Sequence, residues 1–119
     1  MCVRAHAQAP LDEAFRGWND VIALAREPNV WVKVSYFPEA ARAEAFPYPT
    51  AQRYFRELYE RAGAAKLIWG SNYPPVERAC TYAQSLEFVR DHCTFISNED
   101  LDAILGGTFV RSFSPKLRR

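Results

Sequence analysis

Two short apolar runs set a helix apart do most to limit what this chain can fold into. Val30-Trp31-Val32-Lys33-Val34-Ser35 is β-branched and aromatic, and Lys66-Leu67-Ile68-Trp69-Gly70 is mostly apolar. Each reads as a strand, the second as one covered on both faces. Between them Thr50 can cap a helix whose stripe is Tyr54, Phe55, Leu58 and Ala62, with Gly63 placed for a left-handed C-terminal residue. Strands joined through such a helix cannot form a hairpin and instead pair in parallel through a crossover.

The flanking segments continue the alternation. Residues 12–26 read as a helix with Phe15, Trp18, Ile22 and Ala25 on one face, Asp12 and Glu13 in the first turn and Pro28 as the stop. Thr81 and Gln84 have capping-box spacing at the head of a third helix, with Tyr82, Leu86, Val89 and Cys93 on its apolar side. Ser97-Asn98-Glu99-Asp100 heads a fourth helix, ended by Gly106-Gly107, and Arg111 to Arg119 reads as a frayed basic tail. Cys2-Val3-Arg4-Ala5-His6 reads as the end of an earlier strand. The stretches Tyr36 to Pro49 and Ser71 to Pro75 are expected to be loops, because their prolines remove backbone donors. The order is β-α-β-α-β-α-α and the fold class is α/β.

Composition narrows the function classes. Fifteen basic and fourteen acidic residues nearly cancel, which gives no electrostatic footprint for nucleic acid or an anionic membrane. No apolar run approaches the roughly 20 residues of a membrane span, and the N-terminal stretch lacks a signal-peptide core. Cys2, Cys80 and Cys93 show no CxxC spacing and read as ordinary thiols of a reducing, cytoplasmic compartment. Phosphate loop, HExxH and nucleophile-elbow motifs are absent from the sequence.

In parallel α/β proteins, chemistry gathers just past the carboxyl ends of strands. That rule singles out His6, the loop after Ser35 and the loop after Gly70. Ser35 is a candidate for a substrate hydrogen bond. Tyr36, Phe46, Tyr48 and Tyr73 either wall a planar substrate or cap the core. Asn72 suits a turn and can also line a site. Lys33 is expected to snorkel or to pair with a carboxylate, and His92 to sit exposed at a helix end.

The strings Pro28-Asn29-Val30-Trp31-Val32-Lys33-Val34-Ser35, Pro47-Tyr48-Pro49 and Lys66-Leu67-Ile68-Trp69-Gly70-Ser71-Asn72-Tyr73-Pro74-Pro75-Val76 resemble the amidohydrolase-related TIM-barrel hydrolases. Ile96 to Asp100 and Ile104 to Thr108 are similar to that family's C-terminal helices. The resemblance runs from about His6 to Phe113. It implies that residues 1–119 are a partial domain, the C-terminal portion of a (β/α)8 TIM barrel, about strands six to eight with their helices.

It also implies a hydrolase that uses a divalent metal, zinc or manganese, on a small carboxylate-bearing lactone, amide or ester. The alternatives are a decarboxylase of the same superfamily and a non-catalytic truncated remnant that acts as a binding module. In the family, metal is held by a His-x-His pair on strand one, by histidines on strands five and six, and by an Asp on strand eight that also takes the proton. His6 matches the strand-six His and Asn72 the strand-eight Asp, so both are metal and catalytic candidates. Ser35, Tyr36, Tyr48 and Tyr73 are the substrate-binding candidates.

Asn72 departs from the pattern: an amide can be a weak ligand or an acceptor, but it cannot serve as a general base at neutral pH. A closed barrel needs roughly 250 residues. The chain is therefore expected to have an incomplete ligand set, no turnover on its own, and open strand edges that favour association with itself or with a missing half. The expected partner is a small-molecule substrate.

Overall fold

In the computed structural model, which describes residues 13–117, Val32–Val34 (β1) and Leu67–Trp69 (β2) pair in parallel. Val32 lies opposite Leu67, Lys33 opposite Ile68 and Val34 opposite Trp69. The parallel pairing expected from the intervening helix is present. Both strands are shorter than the apolar runs, because among the described residues each has a ladder partner on one side only. The expected strand at Cys2 to His6 lies outside the described residues.

The helix expected over residues 12–26 ends where expected but is broken near its start. Gly17 adopts φ 78°, a left-handed conformation, and helix α1 spans Trp18–Ala25. Its buried residues are Ile22 and Ala25, and Phe15 is buried just before the break.

The segment after β1 is not all loop. Phe37–Ala40 forms a short helix, α2, with Phe37, Pro38 and Glu39 buried. Pro38 is tolerated because a first-turn residue has no intrahelical donor to lose. Helix α3, Pro49–Ala62, begins one residue ahead of the expected cap. Glu44 accepts both the Thr50 N–H and the Thr50 hydroxyl at 2.8 Å, so a carboxylate from the preceding turn does the capping. Ala51, Phe55 and Leu58 are buried along α3, and Gly63 takes φ 87° as expected.

A 3-10 turn, Ala64–Lys66, feeds β2, and a second, Pro75–Arg78, comes after the loop that leaves β2. Helix α4, Tyr82–Glu87, carries the capping box in full: Thr81 Oγ1 accepts from Gln84 N at 3.1 Å, and Gln84 Oε1 accepts from Thr81 N at 3.0 Å. Its buried side is Ser85, Phe88, Val89 and Cys93, and Tyr82 is exposed. Val89 and Cys93 are thus buried as expected and Leu86 is half-buried, while Tyr82 at the helix start departs from the expected side.

Ser97 caps helix α5, Asn98–Asp102, as expected. Gly106-Gly107 does not end it. The chain passes through a π turn, Ala103–Gly107, into helix α6, Thr108–Leu117, so the tail is helical rather than frayed through Leu117. The buried Thr108 hydroxyl donates to the Ala64 carbonyl at 2.8 Å and ties this continuation to the entry of β2.

The core gathers against one face of the two strands. Ile22, Phe55, Leu58, Leu67 and Ile104 are fully buried. Phe37 stacks on Phe55 with ring centroids 4.9 Å apart and lies 6.2 Å from Phe88. These rings brace α2 from beneath and so hold the segment that leaves β1 in place.

Candidate functional site at the strand ends

The two strands deliver Ser35 and Gly70 side by side. A Cβ on Gly70 would stand 3.4 Å from the Ser35 Cβ and 3.3 Å from Lys33 Cδ, so the two strand ends pack closely and a side chain here would need a small shift of Lys33. Past Gly70, Ser71 Oγ accepts the Tyr73 N–H at 3.1 Å, and the Asn72 carbonyl accepts the Val76 N–H at 2.9 Å. Asn72 sits at φ 56°, in the left-handed region that Asn tolerates better than most residues.

The Asn72 side chain reaches back across the sheet end to α2. Its Nδ2 donates to Glu39 Oε2. Glu39 is only 2% exposed, and its Oε1 is buried with no hydrogen-bond partner. Sequence reasoning missed Glu39. The available signal was an acidic residue four positions past a strand end, enclosed by Phe37, Pro38, Ala40 and Ala41.

The other sequence candidates divide. Tyr48 is buried at φ 55°, and its hydroxyl donates to the Ala79 carbonyl at 3.1 Å. Burial, with the Cys80 thiol and the Glu39 carboxylate nearby, pushes its phenol up to about 12. Cys80 is raised as well, chiefly by burial. Tyr36 and Tyr73 are exposed. Tyr73 lies 6.3 Å from the Tyr82 ring, which in turn meets Trp69 at 6.2 Å. Ser35 and Tyr36 border a groove of about 140 Å³ with Val32, Lys33, Val34 and Phe37, and Asn72 is not part of its lining.

The structure thus joins Asn72 to Glu39 and Ser35 to Tyr36, and it draws Tyr48 into the core. His6 lies outside the described residues. His92 is not fully exposed: its ring stands edge-on to Phe46 at 5.1 Å.

Among the described residues no group of three or more His, Cys, Asp or Glu side chains could hold a metal ion. The Glu39–Asn72 pair offers one free carboxylate oxygen and one amide oxygen, which is short of the three or four protein ligands of a zinc site. The described residues therefore do not fit the divalent metal that the resemblance implies. No helix among them is long and apolar enough to cross a membrane.

Parallel strands joined through helices, with polar side chains collected at their carboxyl ends, define an α/β protein of the strand–helix–strand class. Within that class, the amidohydrolase family model matches residues 2–112 of the 119, and the chain belongs to that family. No curated protein and no solved structure matches the chain. Family membership points to hydrolase chemistry.

Proposed function

We propose that the chain forms the last three strand–helix units of a (β/α)8 barrel hydrolase, with β1 and β2 as strands seven and eight. Its substrate is a small carboxylate-bearing lactone, amide or ester, met in the cytoplasm, with no role for nucleic acid or membrane. The single observation that carries this reading is the Asn72–Glu39 pair held past the ends of two parallel strands. Polar side chains placed there serve binding and chemistry across α/β barrels.

In this reading the described residues bind and orient. The Ser35 hydroxyl donates to a substrate oxygen, with the exposed Tyr36 ring beside it on the same groove and the exposed Tyr73 ring available past β2. Asn72 takes no proton, and His6, outside the described residues, is the candidate for the water-activating group. β1 and β2 each pair on one side only among the described residues, which supports association with a second copy or with the rest of a barrel.

Two measurements test this. A reading frame continuous with Met1 and encoding a His-x-His strand upstream supports the barrel, and a frame without one overturns it. The purified 119-residue chain, supplied with zinc or manganese and a panel of carboxylated lactones, is expected to show no turnover. A metal-dependent rate abolished by His6→Ala would overturn the division of labour.

A further inference from the structure

Glu39 is the one described side chain with a buried polar atom left without a hydrogen-bond partner. A buried carboxylate with a vacant oxygen is unfavourable for folding alone, and such groups gather where a site requires them. Its other oxygen holds the Asn72 amide, 33 residues away in sequence. Asn72 in turn is held at φ 56°, pinned from the far side by its own carbonyl, which accepts from Val76. Side chain and backbone are thus fixed independently.

We propose that Glu39 is a positioning residue that makes position 72 a hydrogen-bond acceptor. This deepens the reading of the strand ends as a substrate site and rests on it. An amide beside a carboxylate has one workable orientation. The NH2 group must face Glu39, because the reverse sets oxygen against oxygen. With Nδ2 committed inward, Oδ1 is the atom Asn72 has left to offer a ligand. The site therefore selects a hydrogen-bond donor at this point, a hydroxyl or an amide N–H, and disfavours a carboxylate or carbonyl oxygen. The rings of Phe55 and Phe88 pack on Phe37 and hold α2, and the Glu39 side chain carried by that helix is enclosed at 2% exposure against the amide.

The test is the side-chain amide resonance pair of Asn72 in the whole chain, assigned by its loss in Asn72→Ser. The proton directed at Glu39 is expected downfield of the exposed amides of Asn29 and Asn98, and slower to exchange with solvent by tenfold or more. Glu39→Gln, which keeps an acceptor of nearly the same shape, should retain the slow exchange with a smaller downfield shift. Glu39→Ala should bring both protons to the behaviour of Asn29 and Asn98. An Asn72 pair that matches the exposed amides in the wild-type chain, or that is unchanged in Glu39→Ala, would overturn the assignment. If Glu39→Ala does not fold, the wild-type and Glu39→Gln spectra decide it alone. None of these signals depends on turnover, so failure of the hydrolase reading and failure of this one are told apart.

Discussion

Replacing Asn72 by Asp restores the residue that the family resemblance expects, yet the structure argues that this change should destabilise the fold. The Asn72 amide donates to a carboxylate that is 2% exposed. Asp in its place sets two carboxylates in hydrogen-bond contact. At about 3 Å and an effective dielectric of about 20, two unit charges repel by roughly 5 kcal/mol.

The folded variant can relieve this by keeping one proton on the pair above the ordinary carboxylate range. A group whose folded pKa is raised contributes stability that is whole below its unfolded value and is lost as pH rises through the folded one. Between about pH 4.5 and about pH 7.5 the loss has a ceiling of about 1.4 kcal/mol per pH unit, or about 4 kcal/mol in all. The assay is urea unfolding followed by circular dichroism at both pH values, in chelator-treated buffer so that no stray cation bridges the pair. The reasoning also requires that Glu39→Gln with Asn72→Asp, which reverses donor and acceptor, recover most of the stability and remove the extra pH dependence. Equal destabilisation of Asn72→Asp at the two pH values, or no recovery in the double variant, would refute it.

Other expectations come from the packing and caps. Phe55→Ala removes a fully buried ring stacked 4.9 Å from Phe37, and should cost about 3 to 5 kcal/mol in urea unfolding. Thr81→Ala deletes half of an intact capping box and should cost about 1 kcal/mol, with Thr81→Ser restoring most of it. Thr108→Val leaves the Ala64 carbonyl without its buried donor and should cost about 1 to 3 kcal/mol in the same assay. Burial pushes the Cys93 thiol from its ordinary 9.0 up to about 12. The stability it lends is therefore whole below the unfolded value and is lost as pH rises toward the folded one. Cys93→Ala should flatten part of that alkaline decline, measured as the urea midpoint from about pH 8 to about pH 11, with the raised Tyr48, Cys80 and Tyr59 sharing the rest.

Features settled within a few residues were legible in the sequence. The Thr81–Gln84 box, the Ser97 cap and the left-handed Gly63 each answer to neighbours three or four positions away, and each stands where the sequence puts it. Long-range satisfaction was not legible. Gly106-Gly107 reads as a stop, but the helix continues because Thr108 finds its acceptor 44 residues earlier at Ala64. Thr50 reads as a cap, but Glu44 takes that role from a turn folded back on the helix start. Tyr82 fits the apolar stripe by spacing, but at the helix start it stays exposed and its ring meets Trp69 and Tyr73 instead of the core.

The strand-end site obeys the same logic. Inspection of position 72 alone finds a missing acid, since the resemblance expects Asp and the chain has Asn. The fold shows that a carboxylate is still at this strand end, contributed by Glu39 from the first turn of α2 and bonded to that Asn. The acid and the amide are two halves of one polar unit, and neither half is informative alone. An Asn without Glu39 could turn either face outward, and a buried Glu without Asn72 would have both oxygens unpaired. The left-handed turn at Asn72 and the packing of Phe37 on Phe55 under α2 are what bring them together. A site of this kind is encoded by the pair, so substitutions at 39 and 72 should be strongly non-additive.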